Sequence, residues 1–367
     1  MALIDRCKSL DPVIVGLSAL LVVFGLVVLM SATGPIGVQR AGDSLYYVKR
    51  QIFSGIFPGL VLFFFFSMIN YRAWRSFAFF ALIASLVLLV LVYLPGIGLE
   101  INGARSWLRI GALSFQPSEL VKLTFLLYLA AWLEQRQSLV PFLCSLGAVM
   151  LLLILQPDTG SMVVIVGMSL LLYYLSGAPT HWFLGLGVLG AGFVALMIKW
   201  SPYRAARFMT FLHPELDPKG IGYHINQAIL AIGSGGFWGL GYGHSRQKFL
   251  YLPEVESDSI SAVIAEEMGF MMMLILLAVF AFLIWRCFKI SKESPDRFGS
   301  FLAAGVGCMV AIQVLMNIGS MTGLMPMTGV TLPFISHGGS AMTVLLAAMG
   351  LVAGIGRKIE SRYKKTI

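Results

Sequence analysis

The chain has 367 residues, of which 58% are apolar and only 12% are charged, and its formal net charge is +9. Soluble globular domains carry roughly 25% charged residues, so this composition excludes an ordinary soluble domain. An excess of Lys and Arg in a membrane protein usually lies on the cytoplasmic side. We therefore expect the membrane as a partner, and no nucleic acid.

The first apolar run, residues 12–30, contains no charged side chain. It is long enough for a helix across a bilayer, which needs roughly 20 residues. Secretory signal peptides have a shorter apolar core of about 7–15 residues. The run therefore predicts an uncleaved first membrane span.

Nine further apolar runs follow, each bounded by polar residues, glycine or proline. We expect a single all-α membrane domain over residues 1–367, with about ten transmembrane helices. A large extracytoplasmic loop is expected at about 201–259, between spans seven and eight. The predicted spans are 12–32, 51–69, 74–94, 117–134, 140–156, 161–177, 181–200, 260–286, 299–320 and 332–356.

The predicted orientation follows from the basic segments. An even number of spans places both termini on the same side of the membrane. The tail 357–365, the loop 286–297 and the turn that carries Arg72 and Arg75 are short and basic, and all three fall on that side. Because short basic segments stay in the cytoplasm, both termini are predicted to be cytoplasmic.

Two long external segments, 95–116 and 201–257, also carry basic residues, among them Arg105, Arg246 and Lys248. Loops longer than about 15 residues without structure of their own are usually functional. Cations on the outer face indicate an anionic ligand there. The histidines lack the spacing of a zinc site, and the identity of any metal stays open.

Glu119 and Lys122 lie at the outer start of the fourth predicted span. Their i,i+3 spacing places both on one helical face. Charged residues inside a span cost roughly 2.5–3.5 kcal/mol on insertion scales, so they usually face a cavity or a partner. Two interpretations stay open: a cavity site, or an ion pair that only orients the helix.

Asp258 comes directly before the eighth predicted span. Asp is a favoured N-cap residue, which is the structural interpretation. A carboxylate at an outer helix end that faces a basic loop also suits a general base. Glu266 and Glu267 follow in the same helix and need partners or a water-filled cavity.

Two further stretches combine small and polar residues. The glycine-rich run 233–243 lacks the GK[ST] of a nucleotide loop. Its backbone N–H groups suit phosphate oxygens, with help from Arg246 and Lys248, although a flexible re-entrant turn is the simpler alternative. The stretch 332–340 either allows close helix packing or lines a cavity with hydroxyl groups.

Taken together, these stretches resemble the SEDS family (shape, elongation, division and sporulation), which contains FtsW, RodA and SpoVE. The resemblance covers almost the whole chain. It rests on 102–108 (NGARSWL), 115–123 (FQPSELVKL), 231–236 (AIGSGG), 251–254 (YLPE), Asp258, 262–267 (AVIAEE) and 332–340 (LPFISHGGS).

The resemblance implies a ten-helix peptidoglycan glycosyltransferase in the bacterial cytoplasmic membrane. Such proteins polymerise lipid II at the outer face and work with a class B penicillin-binding protein and other division or elongation proteins. Segment 245–249 resembles the division and sporulation branch, which includes FtsW, more than the elongation branch. Two departures are visible: the family usually has Tyr at the position of His337, and often Thr-Asp-Phe at 257–259.

The resemblance also assigns residues. Asp258 is the expected catalytic carboxylate, and Arg105, Glu119 and Lys122 are expected to line a central cavity. The predicted substrate-binding set is Arg50, Arg105, Glu119, Lys122, Arg246, Lys248, Glu254, Ser336, Gly338, Gly339 and Ser340.

The implied reaction is an inverting glycosyl transfer from one lipid II to another. We expect Asp258 to take the proton of the attacking hydroxyl, while Arg105, Lys122, Arg246 and Lys248 neutralise pyrophosphate, which is a good leaving group. A divalent cation (Mg²⁺ or Mn²⁺) held by Asp258 or Glu254 is an optional cofactor. Two alternatives remain: a lipid II flippase, and a non-catalytic scaffold for the penicillin-binding protein.

Overall fold

The computed structural model describes residues 10–101, 104–111, 113–135, 138–200, 202–213 and 220–366. This part of the chain is mainly helical, and a π-helical turn (Ile52–Ile56) joins the helix Tyr46–Gln51 to the helix Phe57–Met68. The helices are α1 (Pro12–Ala41), α2 (Tyr46–Gln51), α3 (Phe57–Met68), α4 (Tyr71–Leu91), α5 (Pro117–Leu133), α6 (Leu139–Leu155), α7 (Thr159–Leu175), α8 (His181–Trp200), α9 (Pro202–Leu212), α10 (Ile221–Gly235), α11 (Ile260–Glu293), α12 (Arg297–Met321) and α13 (Gly339–Thr366).

Every predicted span falls on one of these helices, with α2 and α3 together forming the second. Within the described residues, six helical stretches are long and apolar enough to cross a membrane: α1, α2–α3, α4, α11, α12 and α13. Helices α6 and α7 and the first half of α8 are apolar but shorter. The mainly helical membrane architecture is therefore confirmed, whereas the count of ten stays a prediction.

The two segments predicted to be external contain structure that the sequence analysis did not predict. Segment 95–116 forms a three-stranded antiparallel sheet of β1 (Gly98–Ile101), β2 (Ala104–Ile110) and β3 (Leu113–Phe115). Gly111 lies in the turn between β2 and β3 with φ of 63°, a conformation that glycine adopts without steric cost. The predicted extracytoplasmic loop contains α9 and α10. The domain is therefore not purely α-helical.

Helices α12 and α13 form the centre of the bundle. Buried residues make up 78% and 83% of their apolar windows, against 22–39% for the other four long stretches. Small residues allow the close packing of α13 against α3, because a Cβ on Gly350 would lie 2.3 Å from Phe63 O. The last helix begins at Gly339, later than the predicted start of the tenth span at 332.

Ion pairs connect the helix ends at one end of the bundle. This end contains the turn between α3 and α4, the loop between α11 and α12, and the start of α1. It is the end that the sequence predicts to be cytoplasmic. The pairs are Arg72–Asp296 (2.8 Å), Arg75–Glu134 (3.0 Å) and Arg286–Asp11.

Helix α11 is broken at Gly269, which has φ of 75° and ψ of −177°. The glycine-rich segment 236–241 lies against this break, and Leu240 N donates to Glu266 O at 2.9 Å. A Cβ on Gly269 would lie 2.3 Å from Gly239 N. The approach of the two backbones therefore requires glycine on both sides, and the apolar run 260–286 is not one continuous helix.

A buried charged network lies beside the break. It consists of Ser31, Ser245, Lys248, Glu266 and Glu267. Lys248 Nζ contacts Glu267 Oε1 at 2.8 Å, and Ser31 Oγ donates to the same carboxylate at 2.7 Å. Glu266 accepts hydrogen bonds from Ser245 Oγ and from the backbone N–H of Arg246, the residue that follows this serine. We call these five residues the buried network, and they fasten the glycine-rich segment to α1 and α11.

Candidate active site

A cavity of about 590 Å³ lies at the end of the bundle opposite the three helix-end ion pairs. The first turns of α5, α7 and α13 and the segment before α11 meet there, together with α2 and the end of α1. Its wall contains residues of 40–54, 114–122, 158–161, 254–258 and 327–341. Segments distant in sequence therefore share one polar cavity.

The ion pair predicted on α5 is formed and lines this cavity. Lys122 Nζ lies 2.7 Å from Glu119 Oε1, and the two side chains are only 3% and 10% exposed. The neighbouring Ser118 Oγ donates to Asp158 Oδ2 at 2.6 Å, and Asp158 caps α7 through Ser161 N. Because the starts of α5 and α7 are bonded together, the ion pair has a fixed place in the cavity wall. Both sequence interpretations hold: it is an ion pair, and it lines a cavity.

Asp258 is buried and lines the same cavity. The N-cap of α11 is Ser259, one residue later, so the structural interpretation of Asp258 as a helix cap is not met. Asn317 Nδ2 donates to both Asp258 O (2.8 Å) and Val330 O (2.9 Å). These two hydrogen bonds fix the backbone of the acid against the segment that joins α12 to α13.

Three cationic side chains line the cavity: Arg40, Arg50 and Lys122. Arg40 and Lys122 form ion pairs. Arg50 is exposed and donates to Ser114 Oγ at 3.4 Å, and it has no ion pair with a carboxylate among the described residues. Of these three cations, Arg50 is the one best placed to bind an anionic ligand.

A second polar cluster lies in the cavity wall at the end of α1 and the start of α2. Glu256 Oε1 accepts bonds from Arg40 Nη1 and Tyr47 Oη, each at 3.1 Å. His337 donates its backbone N–H to Glu256 O at 2.7 Å, and its ring lies edge-on to Tyr47. Burial and the nearby Arg50 lower the pKa of the His337 imidazole to about 4. The imidazole is therefore neutral at physiological pH.

The carboxylates of the cavity do not form a metal site from protein side chains alone. Glu254 and Asp258 both line the cavity. Among the described residues, however, no group of three or more His, Cys, Asp or Glu side chains is arranged to hold a metal ion. Mg²⁺ usually keeps several waters and binds one or two carboxylates together with substrate phosphates.

The sequence model of the Cell cycle protein family (FtsW, RodA and SpoVE) matches residues 12–361. The chain belongs to this family. Stage V sporulation protein E of Bacillus subtilis (strain 168) is 40% identical over 365 residues, which cover 97% of this chain and 98% of the relative. A probable peptidoglycan glycosyltransferase FtsW of Trichlorobacter lovleyi is 35% identical over 363 residues, covering 97% and 95%.

Solved structures of the FtsW/RodA/SpoVE family have the same fold. One match is a chain from the structure of a peptidoglycan synthase complex that coordinates polymerization and crosslinking. It superimposes with a TM-score of 0.80 at 31% identity, covering 95% of this chain and 98% of that one. Thermus thermophilus RodA gives 0.69 at 31% identity, covering 95% and 97%. The chain is thus a multi-span membrane protein, and relatives named FtsW and SpoVE support the expected division and sporulation branch.

Seven of the twelve residues predicted from this family line the cavity. The catalytic candidate is among them, and so are both members of the α5 ion pair. They are Arg50, Glu119, Lys122, Glu254, Asp258, Gly338 and Gly339.

The other five do not line it. Ser340 Oγ accepts a bond from Gln116 N, and Ser336 Oγ accepts one from Leu332 N. Both serines are buried and fix the backbone behind the cavity wall. Arg246 is exposed, and its backbone N–H contacts Glu266.

Two further cations of the predicted set, Lys248 and Arg105, lie away from the cavity. Lys248 belongs to the buried network and is 5% exposed, so it does not face an anionic ligand. Arg105 is 58% exposed and pairs with Glu100 across β1 and β2 at 3.0 Å. The backbone N–H groups of Leu240 and Gly241 are bonded to α11. The glycine-rich run therefore packs against the break in α11 instead of forming a phosphate loop.

Several cavity residues were missed by the sequence analysis. Arg40, Tyr47, Asp158, Glu256 and His337 all line the cavity. Asp158 follows the end of an apolar run and precedes a helix, which was a usable signal for an N-cap at the membrane surface. Nothing in local sequence indicated that Arg40 would meet Glu256, because 216 positions separate them and only the fold joins them.

Proposed function

We propose that this protein is a peptidoglycan glycosyltransferase that polymerises lipid II at the outer face of the bacterial cytoplasmic membrane. The main support is one observation: Asp258 and three cationic side chains line a single cavity among membrane helices. A general base and cations for a pyrophosphate are the two requirements of this reaction. Relatives named peptidoglycan glycosyltransferases add to this support.

Asp258 acts as the general base in this proposal. The 4-hydroxyl of one lipid II attacks the anomeric carbon of the other, and its proton passes to the Asp258 carboxylate. A C–O bond forms at the anomeric carbon while the bond to undecaprenyl pyrophosphate breaks on the opposite face, so configuration inverts. A positioned base of this kind contributes typically 10²–10⁴-fold to the rate.

The departing pyrophosphate leaves with the electron pair of the broken bond. Pyrophosphate is a good leaving group, so nearby cations take the place of the acid that inverting glycosidases need. Arg105, Arg246 and Lys248 do not line the cavity, so the proposal gives them no part in this step. Arg50 and Lys122 are the cations proposed here, because they line the same cavity as Asp258. No step is assigned to a divalent cation.

The same proposal includes the setting of the enzyme. Both termini lie in the cytoplasm, at the end of the bundle where Arg72, Arg75 and Arg286 form their ion pairs. The cavity then faces the outer leaflet, where lipid-linked substrates reach it from the bilayer. A class B penicillin-binding protein of the division machinery is the proposed partner, and it crosslinks the product.

The test is polymerisation of lipid II by the purified protein in nanodiscs, with and without a class B partner. Asp258→Asn keeps the size of the side chain and removes the base, and we expect glycan synthesis to fall by at least 100-fold. Asp43→Asn is the matched control, since Asp43 is exposed, pairs with Lys49 and does not line the cavity. Normal synthesis by the Asp258→Asn protein would exclude this carboxylate as the base.

A flippase gains some support from the break in α11, because transporters often use discontinuous helices. Here, however, the backbone of segment 236–241 covers the break at Gly269. Translocation of lipid II in liposomes without polymer would favour the flippase. Cell-wall synthesis at the normal rate with the Asp258→Asn variant, with partner binding intact, would favour the scaffold.

A further inference from the structure

The cluster of Arg40, Tyr47, Glu256 and His337 has no part in the proposed chemistry, although all four side chains line the cavity. Arg40 Nη1 donates to Tyr47 Oη at 2.7 Å, and both donate to Glu256 Oε1. One carboxylate oxygen therefore receives two bonds from the protein. The arrangement fixes the orientation of the Glu256 carboxylate.

The other oxygen of this carboxylate has no partner. Glu256 is 6% exposed, and its Oε2 atom is buried without a hydrogen-bond partner among the described residues. A buried polar atom without a partner costs about 1–3 kcal/mol, and more when it is charged. Native proteins keep such atoms mainly where a ligand or solvent supplies the missing bond.

A second atom of the cluster is also buried without a hydrogen-bond partner. His337 Nδ1 is buried and has no hydrogen-bond partner among the described residues. The backbone on both sides of this histidine is fixed, because Gln51 Nε2 donates to Ser336 O and Gln51 Oε1 accepts from Gly338 N. Both unpartnered atoms belong to side chains of the cavity wall, which makes a ligand in the cavity a candidate partner for both.

We propose that Glu256 and His337 form a sugar-binding subsite, in which Glu256 Oε2 accepts a hydrogen bond from a hydroxyl or amide N–H of the bound lipid-linked sugar. The proposal rests on the function proposed above and names a second polar contact of the same substrate. The donor must be neutral, because Arg40 already balances the charge of the carboxylate. Tyr47 and Arg40 are positioning residues, since they hold the acceptor in place through Oε1.

The substitution Glu256→Gln tests this directly. Arg40 and Tyr47 require an acceptor at the Oε1 position, so the amide oxygen of glutamine takes that place. The amide NH₂ then occupies the Oε2 position, where the proposed ligand contact is made. The variant keeps the bonds that fix the side chain but replaces a cavity acceptor by a donor.

We expect Glu256→Gln to raise the KM for lipid II about 10-fold or more with a smaller change in kcat, because a hydrogen bond to a charged group is lost. Glu134→Gln is the matched control. Glu134 also pairs with one arginine, Arg75, but lies at the opposite end of the bundle. A purely structural effect would change the melting temperature of both variants and the KM of neither. An unchanged KM in Glu256→Gln would overturn the proposal.

Substrate analogues provide a second test, in which the change is made in the ligand as well as in the protein. Lipid II analogues with single sugar hydroxyls replaced by hydrogen, or with the acetamido nitrogen methylated, are compared in the unmodified protein and in Glu256→Gln. One analogue should raise KM in the unmodified protein but not further in the variant. A deoxy analogue identifies a hydroxyl donor, and the methylated analogue identifies the amide. Strict additivity for every analogue would contradict the subsite.

Binding of lipid II to the Asp258→Asn protein in nanodiscs separates this proposal from the proposed function, since binding needs no turnover. If the unmodified protein makes no polymer but binding weakens with Glu256→Gln, the function fails and the subsite stands. If polymer forms and Glu256→Gln changes neither KM nor binding, the subsite fails and the function stands.

Discussion

Two clusters of buried charge differ in how completely they are bonded. In the buried network, Glu267 receives bonds from Ser31 and Lys248, while Glu266 receives bonds from Ser245 and the backbone. In the cavity, by contrast, Glu256 keeps one buried oxygen without a partner. In the buried network, the protein itself supplies the hydrogen-bond partners of both carboxylates, and these bonds stabilise the fold. The second cluster is complete only with a ligand, which is how a binding surface differs from a structural ion pair.

The largest expected effect lies in the buried network. Lys248→Met removes one partner of a buried ion pair and leaves the Glu267 carboxylate without its counter-ion. The cost is about 3–5 kcal/mol of folding free energy, so we expect a marked fall in the melting temperature of the purified protein. Polymerisation should be lost only as far as folded protein is lost. A variant with normal stability but no activity would instead place Lys248 in the binding site.

The break in α11 gives the next largest effect. Gly269→Ala puts a side chain at φ of 75° and brings its Cβ to 2.3 Å from Gly239 N. We expect a loss of about 1–3 kcal/mol from backbone strain and a further loss from the displaced segment. Thermal unfolding measures it. Gly147→Ala, within α6 and with open space at its Cβ, is the control that should not destabilise. Equal stability of the two variants would show that the break is not fixed by backbone contact.

The cavity ion pair should behave in the opposite way to the buried network. Lys122→Met is expected to reduce lipid II polymerisation by at least 100-fold, because a cation proposed for the leaving group is lost. The double variant Glu119→Gln/Lys122→Met should recover about 1–3 kcal/mol of the stability lost in the single variant but none of the activity. Recovered activity in the double variant would mean that the pair only supports the helix.

The smallest expected effect concerns pH. Burial and Arg50 lower the pKa of His337 to about 4, so this imidazole does not titrate between pH 5.5 and 8. His337→Asn should therefore leave the shape of the pH–rate profile unchanged over that range. Because the unfolded chain takes up the proton first, the stability that neutral His337 contributes is lost as pH falls from about 6.5 to about 4. A shifted profile in the variant would contradict the low pKa.

Much of this fold was predictable from the sequence. The apolar runs predicted the positions of the long helices, and the i,i+3 spacing predicted the contact of Glu119 with Lys122. These features depend on local periodicity. The acid Asp258 was singled out through its resemblance to a family, since its neighbours favoured a helix cap.

The remaining features depend on contacts between distant segments. Lys248 and Lys122 look equivalent in the sequence, yet one pairs with Glu267 inside the protein and the other lines the cavity. The break at Gly269 is visible only beside segment 236–241. The sheet of 98–115 forms from a stretch that also contains charged residues, so its short strands had no clear alternation.

Asn317 ties the acid to the connection between α12 and α13. Its amide donates hydrogen bonds to both Asp258 O and Val330 O. A substitution that displaced this connection would therefore also displace the backbone of the acid, although the connection is far from Asp258 along the chain and lies next to it only in the fold.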